Sequence, residues 1–251
     1  MKTISTEQKV WTILEIISVS TEYLESRGIE GARLNAELLL AHALGYKRID
    51  LYTHFDEPLD ELEREKYKAL LRRRAAREPL QYILGESEFM GLRLHVDRRV
   101  LIPRPETEVL VEKTIELCKS YGEGGEAIRV LDIGTGCGNI AVTVAKSVPS
   151  AVVTAIDISA DALEVAMHNA ELHGVSERVT FKQVDVLSSS NALADRTFDI
   201  VVSNPPYISK EEFALLPPEI RDYEPRVATC DEEDGLKFFR RISEVGKQLL
   251  R

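Results

Sequence analysis

Asn204-Pro205-Pro206-Tyr207 is the segment of this 251-residue chain whose residue types most directly suggest chemistry. The two prolines lack a backbone N–H, and Pro206 biases Pro205 towards an extended conformation. The result is a stiff run with free carbonyls, a carboxamide at one end and an aromatic ring at the other. Such a run suits a planar NH2 group. The two protons of that group can go to the Asn204 side-chain oxygen and the Pro205 carbonyl, while the Tyr207 ring packs on the amide plane. An amide nitrogen is a poor nucleophile, so the gain is orientation, worth roughly 7–11 kcal/mol of barrier when two reactants are held in line. The motif demands no Asp or His base, because the product proton can leave after the new bond forms.

Two further constellations bear on what faces that nitrogen. "VLDIGTGCGN", Val130 to Asn139, sets glycines between an apolar run and a helical one. Glycines there let the backbone approach a ligand, and the helix start offers free N–H groups. A dinucleotide fingerprint needs a glycine at the sixth position, where this chain has Asn139. Gly134, Gly136 and Gly138 instead match the GxGxG turn of S-adenosylmethionine-dependent methyltransferases, with a purely structural tight turn as the alternative. Asp157 ends the next apolar run, where an acid is placed to bond ribose hydroxyls. Its other reading is a helix cap for "SADALEV", a task that Ser159 and Asp161 can also perform. Asp185 ends the following run and either lines an adenine pocket or is a solvated loop acid.

These segments need a scaffold that brings them together. From Arg129 onward, short Val/Ile-rich runs alternate with helical patterns: strands in "RVLDIG", "AVVTAIDI", "RVTFKQVDV" and "FDIVVSN", helices in "NIAVTVAKSV" and "ADALEVAMHNAELHG". That alternation indicates a parallel sheet covered on both faces, with ligands beyond the carboxyl ends of the strands. Residues before about 78 read as a small helical bundle, with helices in "VWTILEIISVSTEYLESRG", "ARLNAELLLAHALG" and "LDELEREKYKALLRRRAARE". Between them, "GLRLHV" alternates as half of a β-hairpin. Pro103 and Pro105 close it, and "ETEVLVEKTIELCKS" begins a new helix. The expected division is a helical domain 1–78, a hairpin linker 79–104 and a sheet domain 105–251, with Gly122–Gly125 as a linker-like spot.

Composition excludes several classes. The apolar fraction of 44% is ordinary for a globular chain, and no run approaches the roughly 18 apolar residues of a membrane span. Charged residues fill the N-terminal stretch where a signal peptide needs an apolar core, so a cytoplasmic protein is expected. Cys118, Cys137 and Cys230 show neither metal-ligand nor disulfide spacing, and no metal is expected. The formal charge of −10 argues against a nucleic-acid backbone as main partner. "RRRAAR", Arg72 to Arg77, reads as a solvated helix face, and the five histidines show no ligand spacing.

The chain resembles the release-factor glutamine methyltransferases. The resemblance rests on NPPY with GxGxG, on "VLIPRPETEVLVE", Val100 to Glu112, and on "EPLQYILGESEFMGL" and "RDYEPRVATCDEEDGLKFFRRI". The related ribosomal-protein enzymes carry a serine-containing motif where this chain has Pro103-Arg104-Pro105-Glu106. The resemblance implies a Rossmann-like class I methyltransferase sheet with a small N-terminal helical bundle that recognises the release factor, and a linking hairpin. It implies methyl transfer from S-adenosylmethionine to the glutamine of the Gly-Gly-Gln loop of class 1 peptide-chain release factors. Gly134, Thr135, Gly136, Cys137, Gly138, Asp157, Val186 and Asn204 would contact the cofactor. Asn204, Pro205, Pro206 and Tyr207 would hold the glutamine. Arg104, Glu106 and Thr107 would shape the pocket, with helix capping by Thr107 or Glu108 as the alternative.

The family pattern continues with a fifth strand and a final antiparallel pair, whereas this chain stops at Arg251. The sheet is therefore expected to be truncated after the fourth strand and its helix. A monomer is expected, without membrane or direct nucleic-acid partners. Adenine-N6 methylation of nucleic acid and a non-catalytic release-factor-binding protein stand as alternatives.

Overall fold

Thr12 and Asp60 begin helices by the same device. Each side chain accepts the backbone N–H three residues on, and Glu15 or Glu63 returns the bond to the cap's own N–H. These reciprocal bonds satisfy donors that a helix start leaves free. They open α1 (Ile13–Ser26) and, after α2 (Ala32–Leu44) and the short α3 (Asp50–Thr53), helix α4 (Glu61–Ala75). Gly45 ends α2 with φ 69°, the left-handed conformation that favours glycine. The short α5 (Leu80–Leu84) follows. In this computed structural model, which describes residues 10–121, 126–188 and 197–251, the chain divides into two compact units, Met1–Leu84 and Gly85–Arg251. The Gly122–Gly125 segment lies outside the described residues.

The first unit packs Ile13, Ile17, Leu39, Leu40, Leu51, Tyr67 and Ile83 into one core, each aliphatic side chain contributing about 1.5–3 kcal/mol on full burial. Its polar groups are paired internally. Glu37, fully buried, accepts from Arg33 Nε at 2.9 Å, Arg48 Nε at 2.7 Å and the Tyr52 hydroxyl at 2.7 Å. The arginine run departs from the solvated face expected of it at Arg74, while Arg72 and Arg73 stay exposed. Arg74 is buried and donates to Asn35 Oδ1 and the Glu78 carbonyl, while Arg73 makes a bidentate pair with Glu78. One face of α4 packs inward, and Arg74 follows it with partners.

The second unit opens with a hairpin, β1 (Glu86–Phe89) against β2 (Leu92–His95), in register Glu86↔His95 to Phe89↔Leu92. Met90 and Gly91 form its two-residue turn with φ 48° and 73°, the type I′ geometry that matches strand twist. Helix α6 (Glu106–Tyr121) leads into β3 (Ile128–Ile133), α7 (Asn139–Ser147), β4 (Ala151–Asp157), α8 (Ala160–Leu172), β5 (Val179–Gln183) and β6 (Ile200–Ser203). The four strands β3–β6 form one parallel sheet, as the apolar runs led us to expect, and the structure adds its order, β5-β4-β3-β6.

Short helices α9 (Lys210–Phe213), α10 (Pro218–Arg221) and α11 (Arg226–Thr229) precede α12 (Lys237–Leu249). Successive strand residues face opposite sides. Leu131 and Ile133 pack with Val245 and Leu249 of α12, and Asp132 lies on the other side beside Ala141 of α7. On the outer edge of β6, where a further strand was expected to begin, Leu250 makes a parallel bridge to Phe198 and Arg251 pairs with Asp199. Among the described residues, no helix is long and apolar enough to cross a membrane.

Candidate active site

The carboxyl ends of the sheet strands open into a cavity of about 520 Å³, within the range usual for small-molecule sites. β3 and β6 are neighbours with Ile133 opposite Ser203, so the glycine turn and the Asn-Pro-Pro-Tyr run leave the sheet side by side. Ser203 Oγ reinforces this by donating to the Ile133 carbonyl at 2.6 Å. The cavity is lined by Gly134 to Cys137, Asp157, Asp185 and Val186, together with Arg104, Thr107 and Asn204 to Pro206. Gly138, Glu106 and Tyr207 lie outside its lining. Gly138 caps α7 with φ 81°, and a Cβ there would stand 3.1 Å from Ala166 Cβ. Glu106 is exposed at the start of α6, and Tyr207 is 56% exposed.

The glycine turn is pinned between two carboxylates. Thr135 Oγ1 donates to Asp132 Oδ2 at 2.6 Å, and the Gly136 N–H donates to Asp157 Oδ2 at 2.9 Å. Asp157 Oδ1 accepts from the Ser159 N–H at 2.9 Å, while Ser159 itself caps α8 through Ala162 N. Capping thus falls to Ser159, and Asp157 ties the turn to the end of β4. A carboxylate has about four acceptor positions, so Asp157 retains capacity for hydroxyl donors. Asp185 is bonded locally, accepting from Leu187 N and Ser188 Oγ at 2.9 Å each.

Burial pushes Asp132 up to about 7, and the charge of Asp157 adds to the rise while the Thr135 hydrogen bond opposes it. Burial likewise pushes the Cys137 thiol up to about 12, which makes it a neutral wall of the cavity.

Asn204 is oriented by a residue 97 positions away. Its Nδ2 donates to Thr107 Oγ1 at 3.0 Å, and Thr107 is buried on the first turn of α6. Among the described residues Oδ1 has no donor, so the carbonyl edge of the amide is the one free to accept. Thr107 therefore holds Asn204, and Glu108 accepts from Met90 N at 2.8 Å in the hairpin turn.

Two supports escaped the sequence reading. Arg104 donates to Glu224 Oε1 at 2.6 Å; burial raises the Glu224 pKa, opposed by the charge and hydrogen bond of Arg104. Behind the clamp, Ile208 bridges to Cys230, and a Cβ on Gly235, at φ 83°, would stand 2.5 Å from the Tyr207 carbonyl. The signal for Gly235 was a glycine in an acidic loop, which by itself does not say what approaches it.

The residues suit S-adenosylmethionine. No atom lies within 4 Å of where a Cβ would stand on Gly134 or Gly136, so that space belongs to the cavity. Ile158, Val184 and Val186 supply apolar wall, and Asp157 and Asp185 supply acceptors at the rim.

A parallel sheet of this order, with its glycine turn and strand-end acid, defines a class I methyltransferase fold. Comparison with known families agrees: a model described as PrmC N-terminal domain matches residues 15–85, and one described as methyltransferase domain matches residues 125–247. The release factor glutamine methyltransferase of Chlorobaculum tepidum is 45% identical over 247 residues, covering 98% of this chain and 84% of that protein. Those of Rhodopirellula baltica and Geobacter sulfurreducens are 43% and 44% identical, with 80% and 81% of their lengths covered by 96% of this chain. The chain belongs to the release factor glutamine methyltransferase family.

Proposed function

We propose that the protein transfers a methyl group from S-adenosylmethionine to the side-chain nitrogen N5 of the glutamine in the Gly-Gly-Gln motif of class 1 peptide-chain release factors. One observation carries the reading: Asn204, Pro205 and Pro206 line the same cavity as the glycine turn Gly134–Cys137. Family membership favours a glutamine over an adenine as the planar amide or amino group in that cavity.

The bound cofactor supplies an electrophilic methyl carbon on a positively charged sulfur. Gly134 to Cys137 and the Asp157 carboxylate would hold it, with Asp185 and Val186 beside the adenine. Thr107 takes up the N–H edge of Asn204, so the Asn204 oxygen would accept a hydrogen bond from one N–H of the substrate NH2 and the Pro205 carbonyl from the other. The Tyr207 ring, exposed before substrate arrives, would cover the face of the amide. Arg104, held by buried Glu224, borders the cavity beside Thr107. These residues bind and orient; none has to remove a proton before the methyl arrives. The helical N-terminal region would recognise the release factor, and the protein would act as a cytoplasmic monomer.

Incubation with labelled S-adenosylmethionine and either an intact class 1 release factor or DNA tests the proposal. Label is expected in the release factor. Label only in nucleic acid would overturn it.

A further inference from the structure

The β1–β2 hairpin is fastened at both ends, and its two fasteners belong to the two halves of the site. At the turn, Met90 holds φ 48°, a left-handed conformation that non-glycine residues rarely adopt. Its N–H donates to Glu108 Oε1 at 2.8 Å. Glu108 is adjacent to Thr107, whose hydroxyl holds Asn204. At the strand end, the His95 N–H donates to Asn169 Oδ1 at 2.7 Å, and Asn169 Nδ2 donates back to the His95 carbonyl at 3.0 Å. The same Nδ2 donates to the Cys137 carbonyl, inside the glycine turn, at 2.9 Å. Asn169 is fully buried, and both donors and the acceptor of its amide are used. One turn further along, His173 Nε2 meets the Arg93 carbonyl at 2.8 Å. Neither Glu108 nor Asn169 lines the cavity.

We propose that this hairpin is a strut that sets the separation between the acceptor clamp at Asn204 and the cofactor turn at Cys137, with Glu108 and Asn169 as positioning residues at its ends. The inference rests on the methyl-transfer reading and extends it to residues outside the cavity. In-line transfer is steep in distance: a misplacement of about 1 Å can cost on the order of 100-fold in rate. Asn204 is oriented from α6 and Cys137 from α8, and the hairpin bonds to both helices through side chains that reach it from opposite ends. Glu108 bears on the clamp alone. Asn169 bears on both the hairpin and the cofactor turn, so its loss acts on cofactor affinity as well as on rate.

The test is steady-state methylation of an intact class 1 release factor by the full chain, with S-adenosylmethionine affinity measured separately by calorimetry. The variants are Glu108→Ala, Glu108→Gln, Asn169→Ala and the double Glu108→Ala/Asn169→Ala, each first checked by thermal melting. Glu108→Ala is expected to lower kcat about tenfold or more with cofactor Kd nearly unchanged, and Glu108→Gln, which keeps the acceptor oxygen, to restore most of it. Asn169→Ala is expected to lower kcat and weaken cofactor binding. The double variant should lose no more kcat than the worse single one, because a strut cut twice is no looser than a strut cut once.

Full turnover in Glu108→Ala, equal impairment in Glu108→Gln, or losses that multiply in the double variant would each overturn the proposal. Should Asn169→Ala fail to fold, the two Glu108 variants decide. Amide hydrogen exchange at Met90 supplies a readout free of activity: it should rise in Glu108→Ala, and unchanged exchange overturns the strut. A wild-type chain that leaves every release factor unmodified overturns the functional reading instead, and the exchange result then decides the strut alone.

Discussion

Glu37 in the helical unit and Asp132 in the sheet unit are both fully buried carboxylates, and they sit in opposite electrostatic states. Burial pushes Glu37 upward, but hydrogen bonds from Tyr52, Arg33 and Arg48 outweigh it and hold its pKa below the ordinary value. Asp132 receives one hydroxyl, faces the charge of Asp157, and rises to about 7. The helical unit has settled its polar groups among themselves. The sheet unit keeps an under-compensated acid directly beneath the glycine turn, bonded to Thr135 of the cavity wall. Perturbed acids gather where a site must hold charge and backbone in a set geometry, and stability is given up there.

Asn204→Ala removes the acceptor for the substrate amide; turnover should fall about 1,000-fold or more, equivalent to roughly 4 kcal/mol, while cofactor affinity by calorimetry changes little. Retained turnover would remove the clamp from the account.

Asp132→Asn follows. The folded chain holds the Asp132 proton up to about pH 7, whereas the unfolded chain releases it near the ordinary carboxylate value. Stability is therefore lost as pH rises between those values and is flat above. Asp132→Asn should melt higher than wild type at pH 8, by the equivalent of about 4 kcal/mol at most, and about level with it below pH 4. A variant that melts lower at pH 8 would contradict the burial argument.

Gly235→Ala forces a Cβ into the Tyr207 carbonyl and strains a left-handed residue, so we expect a loss of about 2 kcal/mol in stability together with reduced turnover. Wild-type melting and activity would show that the loop yields freely. Glu37→Ala should cost about 2 kcal/mol, less than an unpaired buried charge would, because Arg33 and Arg48 are half or more exposed and recover water. Chemical denaturation measures it. The sign of its pH dependence is opposite to that of Asp132: the contribution of Glu37 is present above its unfolded pKa and fades as pH falls through the lowered folded value.

What the sequence disclosed follows from the range of the interactions. The four strands of the sheet, the glycine turn and the Asn-Pro-Pro-Tyr run each declare themselves within a dozen residues, through β-branched runs, glycine spacing and proline. The convergence of Asp157 and Asn204 on one cavity follows from sheet topology, since strand ends open on one side. The pairs that orient the site are of another kind. Asn204 with Thr107, Arg104 with Glu224, and Asn169 with His95 and Cys137 join residues that only the fold brings together. Short helices such as α3, α5 and α9 to α11 span too few residues to show a period. Arg74 looked like one of several surface cations because nothing local distinguishes it from Arg72. Only the packing of α4 selects which arginine turns inward.

Methyl transfer at the glutamine clamp beside the cofactor turn is read out by mass spectrometry. After reaction of the full chain with S-adenosylmethionine and an intact class 1 release factor, the Gly-Gly-Gln peptide should gain the mass of one methyl group on its glutamine, and the gain should vanish with Asn204→Ala. An unmodified glutamine despite calorimetric binding of both cofactor and release factor, or a methyl group on any other residue, would contradict it.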